Sequence, residues 1–489
     1  MTAQKPKPYI HIIGGGLPGW SAAAVLADQL SAVADIQINA SGDDDAAANA
    51  DYGHIILDSE SVLLLHSGMT AGELVSGGQG GFSLGSCFER WGPNGRPVYH
   101  APGEPLPAPD GVAVHQILRR LSVQQGNDAL FADLYLPLAF QARMAATGKF
   151  SPPSEDRQSP RSLLRPAITV DGSILTDIMR DKAMTSGVQL SGGNGEGALL
   201  IIDCRPIMGP KDIDCGAALG FDRCVTARFR GRGPHPPYDI VRPLDHGQMS
   251  ILPLQDGAIV NVYYPAALWD TDAAEEAARG AISGAVPGAH DPADCAIIAN
   301  RAIWPGYMER PWQGNIVHIG PGAAELGSVM GAAAKLLSHQ LATLVSLLPR
   351  NAEDDMAIKA AEYNRKAAAF FGHMRDFHQL ALVRSNMQGD YWNQMKQQPM
   401  SPNLQRRVRQ FERRGLLVLI DDDPFEKHNW LEMLIGLGIV PAIYDHAADG
   451  IDMDKKMRAL GAMVMAFDQT IAAMPTHGDF LNQMAHRMT

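Results

Sequence analysis

The stretch Tyr9–Trp20, YIHIIGGGLPGW, constrains this chain more than any other, because it places a nucleotide-binding turn almost at the N-terminus. Tyr9–Ile13 is short and apolar, so it reads as a strand. Gly14, Gly16 and Gly19 follow at G-x-G-x-x-G spacing, with Leu17 and Pro18 between them, and Ser21–Leu30 is rich in helix formers. Gly14 permits the tight turn, Gly16 lets the backbone approach a pyrophosphate, and Gly19 lets helix and strand pack closely. The free N–H groups and the dipole at the helix start favour phosphate charge. The stretch predicts a dinucleotide and leaves the chemistry open.

Composition narrows the class. At 489 residues, 46% of them apolar and with 49 glycines, the chain suits a large α/β protein of several domains. A net charge of −12 disfavours a nucleic-acid surface. Cys87, Cys204, Cys215, Cys224 and Cys295 are too scattered for a disulfide framework or a metal site, so they read as free thiols in a reducing compartment. The leading MTAQKPKP lacks the apolar core of a signal peptide. No run approaches the roughly 18 apolar residues of a membrane span, so a cytoplasmic protein is expected.

Further along, Ile36–Ala40 reads as the second strand, whose end should carry an acid for the adenosine ribose. Ala40 stands there, followed by Ser41, placed on the cofactor side, and by Asp43–Asp45, which reads as a solvated loop or as the ribose contact. Asp171–Val188 has helical spacing, Leu199–Asp203 reads as a buried strand, and residues 220–265 contain further strands. Asn315–Gly320 predicts another strand, followed by Gly320, Pro321 and Gly322 and by the apolar stretch Ser328–Leu348. Small residues at the start of that stretch would let a flat ligand lie near a helix N-terminus. From about Asp354 onward, helical periodicity dominates, with helices expected over Ala357–Arg384, Asn403–Arg414, Trp430–Leu437 and Lys455–Ala473. Two glycine-bearing strand ends suit one extended ligand, FAD: one helix end takes the pyrophosphate and the other the isoalloxazine.

These segments carry a resemblance that runs nearly end to end. GGGLPGWSAA, GGFSLGSCFERW (Gly80–Trp91), AITVDGSILTDIMRD, LLIIDCR, HGQMSILPL, GNIVHIGPGAAELGSVMG and WLEMLIGLGIVPAIYD occur in the order and spacing of the flavin-dependent tryptophan halogenases, which the chain resembles. The resemblance implies an α/β fold. Its FAD-binding Rossmann-type domain (GR2, p-hydroxybenzoate-hydroxylase-like) spans 1–220 and 296–350, a β-sheet substrate layer spans 221–295, and a helical C-terminal region spans 351–489. It also places Gly320, Pro321, Gly322, Met330 and Gly331 at the isoalloxazine.

The departures from the family pattern carry as much weight. The lysine that handles hypohalous acid in the family is Ser83 here. The W-x-W-x-I-P signature falls on Gln248–Pro253, without either tryptophan. The catalytic glutamate falls on Ser328, and the Ser-Thr pair after it on Val329 and Met330. A kept flavin scaffold without this apparatus implies oxygen transfer: a C4a-hydroperoxide formed from reduced flavin and O2 would hydroxylate an electron-rich ring directly.

Within the halogenase-like proteins, the chain is most similar to the flavoprotein monooxygenases of tryptophylquinone cofactor maturation. That likeness implies a peptide or small protein subunit carrying a target tryptophan as partner, O2 as co-substrate and NAD(P)H as electron donor. The other readings are a divergent halogenase served by a separate reductase and a non-catalytic flavoprotein assembly factor. Glu325 is the candidate for proton transfer or for helix capping. Ser83, His246 and Gln248 are the substrate-side candidates, and no metal or membrane association is expected.

Overall fold

Ile10 and Ile12 are buried on alternate positions of Tyr9–Ile13 and make it the central strand of a six-stranded, mainly parallel sheet. The computed structural model describes residues 7–40, 53–78, 80–104, 106, 108, 111–231, 236–281, 295–349 and 354–488. Ser41 and Asp43–Asp45 lie outside them. Asp35–Asn39 and Leu200–Asp203 flank the central strand in parallel, and Ile316–His318 pairs in parallel with Leu200–Asp203. Every residue of the helix Gly16–Leu30 up to Ala27 is buried, because the helix is held between this sheet and the helix Gly172–Thr185. Asp171 ends the preceding strand, and its carboxylate accepts the Ser173 N–H at 2.9 Å, capping the Gly172–Thr185 helix.

A seven-stranded sheet forms the second layer. Its central strands, Gly247–Leu254 and Gly257–Tyr264, are buried throughout. Met249, Ile251, Val260 and Val262 pack outward against the helix Thr271–Gly280. Gln248, Ser250, Asn261 and Tyr263 take the other face, toward the nucleotide-binding layer. The layer extends beyond residues 221–295: Ser86–Phe88 and Val98–His100 form its edge, joined in parallel through Asp239–Leu244, while Cys295–Ala302 forms the opposite edge. Backbone pairing alone adds these strands, so the layer is discontinuous in sequence.

The stretch expected as one apolar segment over Ser328–Leu348 divides. Val329–Gly331 forms a short 3-10 turn, and the helix proper is Ala332–Leu347. The C-terminal helices Met356–Val383, Pro402–Arg414, Lys427–Gly436 and Met453–Ala472 lie within a few residues of their expected limits. Among the described residues, no helix is long and apolar enough to cross a membrane, and no group of side chains could hold a metal ion.

Candidate functional site: two glycine cradles under a polar sheet face

At the first cradle, Gly14 has φ +95° and its N–H donates to the Asn39 carbonyl at 2.9 Å, bending the chain off the strand. Gly16, with φ +61°, begins the helix, whose first turn has no side-chain cap and no acidic residue. An uncapped positive helix end of this kind suits an anion. A Cβ on Gly19 would lie 2.0 Å from the Gly14 carbonyl oxygen, so only glycine fits where helix and turn touch. Leu17 and Pro18 are buried in the same turn.

Asp203 accepts the Arg205 N–H at 3.1 Å and two guanidinium N–H bonds at 2.9 and 2.7 Å. The Arg205 backbone touches both glycine clusters: a Cβ on Gly14 would lie 3.1 Å from its nitrogen, and one on Gly322 2.5 Å from its oxygen. Arg205 thus joins the two cradles, a role invisible in LLIIDCR. Beside the first, Trp20, Ile38, Ala40, Arg180 and Leu190 line a cavity of 630 Å3 at the carboxyl ends of the parallel strands. Arg180 lies over the Trp20 ring at 5.3 Å, and the buried Trp20 Nε1 has no partner among the described residues. The cavity suits a flat nucleobase.

The second cradle starts at Gly320, with φ +74°, whose N–H donates to the buried Gln340 at 2.8 Å. Pro321 and Gly322 complete that turn. Met330 (φ 59°, ψ 27°) and Gly331 (φ 66°, ψ 23°) are both left-handed immediately before the helix Ala332–Leu347, which has no side-chain cap. A Cβ on Gly331 would lie 2.8 Å from Ile56 Cβ. The Gly331 N–H donates to the Ser328 carbonyl at 3.1 Å and the Ala332 N–H to the Val329 carbonyl, so the turn is locked by its own backbone ahead of a helix start without a side-chain cap. The two cradles, the absence of a competing cap at either and the base-sized cavity together fit FAD.

The polar sheet face closes over the second cradle. Ser328 donates its N–H to the Tyr263 hydroxyl at 2.8 Å. Gln248 is fully buried and bonded to His378 at 2.7 Å through Nε2, while its Oε1 has no partner among the described residues. Burial pushes His378 down to about 4, so it is neutral. Ser83 is fully buried, and its hydroxyl bonds the Gly85 N–H and carbonyl, both at 3.2 Å.

Two candidates sit apart from this face. His246 turns its ring edge toward Trp269 at 6.2 Å and so packs with the outer side of the sheet. Glu325 is 7% exposed, and its carboxylate accepts from Arg301 at 2.7 Å, from Lys211 at 3.3 Å and from the Trp304 N–H at 3.3 Å. With all these donors in place it balances two cations.

A further buried cluster went unnoticed in the sequence because its residues are single polar groups in apolar stretches. His100 is 5% exposed, neither ring nitrogen has a partner among the described residues, and burial pushes it down to about 3. Phe377 and Phe425 stack at 3.8 Å and meet the His100 ring at 4.9 and 5.6 Å. Lys335 lies 5.7 Å over the Phe425 ring. Asp239, bonded to Ser86 at 2.6 Å, is pushed up to about 7 by burial, and Glu432, which accepts the Ala101 N–H at 3.3 Å, up to about 8. Outside, a cleft of 640 Å3 ends at Phe221, which abuts Gly327 and Tyr263.

The tryptophan halogenase family model matches residues 9–199 and 207–453. Among solved structures, the chain is similar to BrvH, a flavin-dependent halogenase from Brevundimonas sp. BAL3, at 20% identity and a TM-score of 0.82, over 98% of this chain and 100% of that one. It is similar to Xcc4156, a flavin-dependent halogenase from Xanthomonas campestris, at 20% identity and a TM-score of 0.82, over 98% of each chain. The tryptophan 6-halogenase SttH from Streptomyces toxytricini matches at 17% identity and a TM-score of 0.79, over 97% of this chain and 99% of that one. At these identities the structural likeness speaks for a shared fold.

Proposed function

The chain belongs to the tryptophan halogenase family, flavin-dependent enzymes, and from that premise we propose that it uses FAD to oxidise an electron-rich aromatic ring by direct oxygen transfer. The target in this reading is a tryptophan side chain carried on a peptide or small protein subunit. Reduced FAD supplies activated oxygen from O2 when bound, with NAD(P)H as the ultimate electron source.

The observation that carries the reading is Ser83. The position where the resembling enzymes keep a lysine holds a buried serine whose hydroxyl is spent on Gly85. An ammonium placed there would handle hypohalous acid; a serine so bound offers no such group. Ser328 at the glutamate position points the same way. The remaining residues bind and enclose. The first-cradle helix end would hold the pyrophosphate and Met330 and Gly331 the isoalloxazine, while Arg205 fixes the spacing between the two cradles. Gln248 and the neutral His378 present a hydrogen-bonding edge without charge, while Phe377, Phe425 and Tyr263 exclude water around the ring. Glu325 acts as a structural anion in this scheme. The 640 Å3 cleft beyond Phe221 gives a backbone-bearing substrate room to approach.

Halogenation with reduced flavin from a separate reductase is the second reading. The family match across most of the chain favours it, as do the flavin-dependent halogenases with which the fold is shared. Mass spectrometry of a tryptophan-containing peptide, incubated with FAD-loaded protein, reductase, NAD(P)H, O2 and chloride, decides between them. A gain of about 16 or 32 Da is the expected result of oxygen transfer. A chlorine isotope doublet makes the protein a halogenase. An unmodified peptide with no bound flavin leaves only an assembly role.

A further inference from the structure

Beside the edge strand Val98–His100 the fold leaves a cavity of 320 Å3, and none of the residues lining it belongs to either glycine cradle. Small side chains make the space. Ala139, Ala142 and Ala146 line it at three- and four-residue spacing, on and just before the helix Phe140–Ala146. Phe140 and Met144 of the same helix are buried in a separate cluster. Leu136 and Pro137, both half-buried, continue the apolar wall. The helix Lys427–Gly436 closes the far side, held against the strand by Gly436, where a Cβ would lie 2.5 Å from Val98 Cγ1. The volume is at the lower end of the range for small-molecule sites.

The charges around this cavity are unevenly matched. Arg96 pairs with Asp133 at 3.0 Å, both about half exposed and so at the mouth, and Arg143 pairs with Asp468. Glu432 also lines the cavity, yet it is only 7% exposed and has no cation beside it among the described residues. One of its carboxyl oxygens accepts the Ala101 N–H at 3.3 Å, and the other has no hydrogen bond among the described residues. It stands in the middle of the apolar run Trp430–Ile435, where nothing local calls for an acid. A carboxylate left unpaired at such a depth is costly. The group takes up a proton instead, burial pushing it up to about 8.

We propose that the cavity is a binding site for a small apolar amine, with its ammonium against Glu432 and its hydrocarbon body along the alanine wall. The ligand brings the counter-ion that the fold omits, and the carboxyl gives its proton to solvent as the pair forms. An anionic ligand has no comparable partner, because both guanidinium groups at the cavity are already held by carboxylates. The site stands independently of the FAD reading, since the two share no residue.

Calorimetric titration of the full chain, with FAD present, tests the assignment using 2-phenylethylamine and its uncharged counterpart 2-phenylethanol. Wild type is expected to bind the amine at one saturable site and to prefer it to the alcohol by about tenfold or more, the worth of a hydrogen bond to a charged group. Glu432→Gln keeps an acceptor for the Ala101 N–H but removes the charge, so the preference for the amine is expected to vanish. Ala142→Leu keeps Glu432 and fills the cavity, so both probes are expected to lose binding. Each variant decides by itself, so the misfolding of one leaves the test standing. Wild type that binds no amine, or that binds amine and alcohol alike, overturns the inference. So does amine binding at wild-type strength in either folded variant, because the amine then sits elsewhere.

Discussion

A left-handed backbone at a residue with a Cβ costs about 1–2 kcal/mol, and Met330 holds one at φ 59° on a buried turn. Strain of this kind persists only where the surroundings over-determine it, which is common at ligand-holding turns. Glu325 shows the opposite economy, one buried carboxylate neutralising Lys211 and Arg301. Glu325→Gln leaves both cations underpaired and is expected to lower stability by about 3 kcal/mol, read from denaturant midpoints. An E325Q protein of wild-type stability that had lost only activity would instead give Glu325 a chemical role. Resemblance alone singled out Glu325, because sequence carries no sign that Lys211 and Arg301, 114 and 24 residues away, converge on it.

At the scale of elements, the strand–turn–helix unit from Tyr9 to Leu30 was readable because each of its glycines has a local job. Gly19→Ala puts a Cβ 2.0 Å from a backbone oxygen that cannot move aside. Loss of FAD absorbance from the purified protein and a destabilisation of more than about 2 kcal/mol are expected from such a clash. Gly331→Ala combines a disfavoured left-handed φ with a Cβ 2.8 Å from Ile56 Cβ, and about 1–3 kcal/mol is expected from the strain. Its readout is flavin affinity, which should fall even where the fold survives. Helix limits after Asp354 were close to those expected because apolar spacing marks them. The break between Ser328 and Ala332 was missed, since the apolar pattern runs straight through two left-handed residues.

Across the whole molecule, buried ionisable groups set the pH dependence of stability. His100, His115 and His378 are pushed down to about 3, 4 and 4 by burial. The unfolded chain therefore binds more protons than the fold below the usual 6.5, and stability falls as pH drops from there. Asp239 and Glu432 are pushed up to about 7 and 8 from 3.8 and 4.5, so the fold binds more protons than the unfolded chain across those ranges. Their contribution is present at low pH and is lost as pH rises through 7 to 8. Among these five groups, three histidines outweigh two carboxyls between about pH 4 and 6.5, and above that only the two carboxyls still titrate. Thermal midpoints are expected to peak near pH 6.5 and to fall toward pH 9, with Glu432→Gln flattening the alkaline side. A midpoint that rises steadily to pH 9 in wild type would refute this.

What the amino-acid order determines by itself is local: the phosphate-type turn, the second glycine cluster at Gly320–Gly322 and the helical C-terminal region. Each rests on steric or periodic rules acting within about twenty residues. The tertiary structure decides everything that depends on convergence. It separates His246 from Gln248, although two positions apart, because His246 lies in the turn before the strand Gly247–Leu254 and turns toward Trp269, while Gln248 lies within the strand. It draws His100 and Phe377 together from an edge strand and a C-terminal helix, and places Arg205 against both cradles. It also sets Lys335, in the first turn of a helix, over the ring of Phe425 ninety residues on, because only the fold determines which distant groups meet.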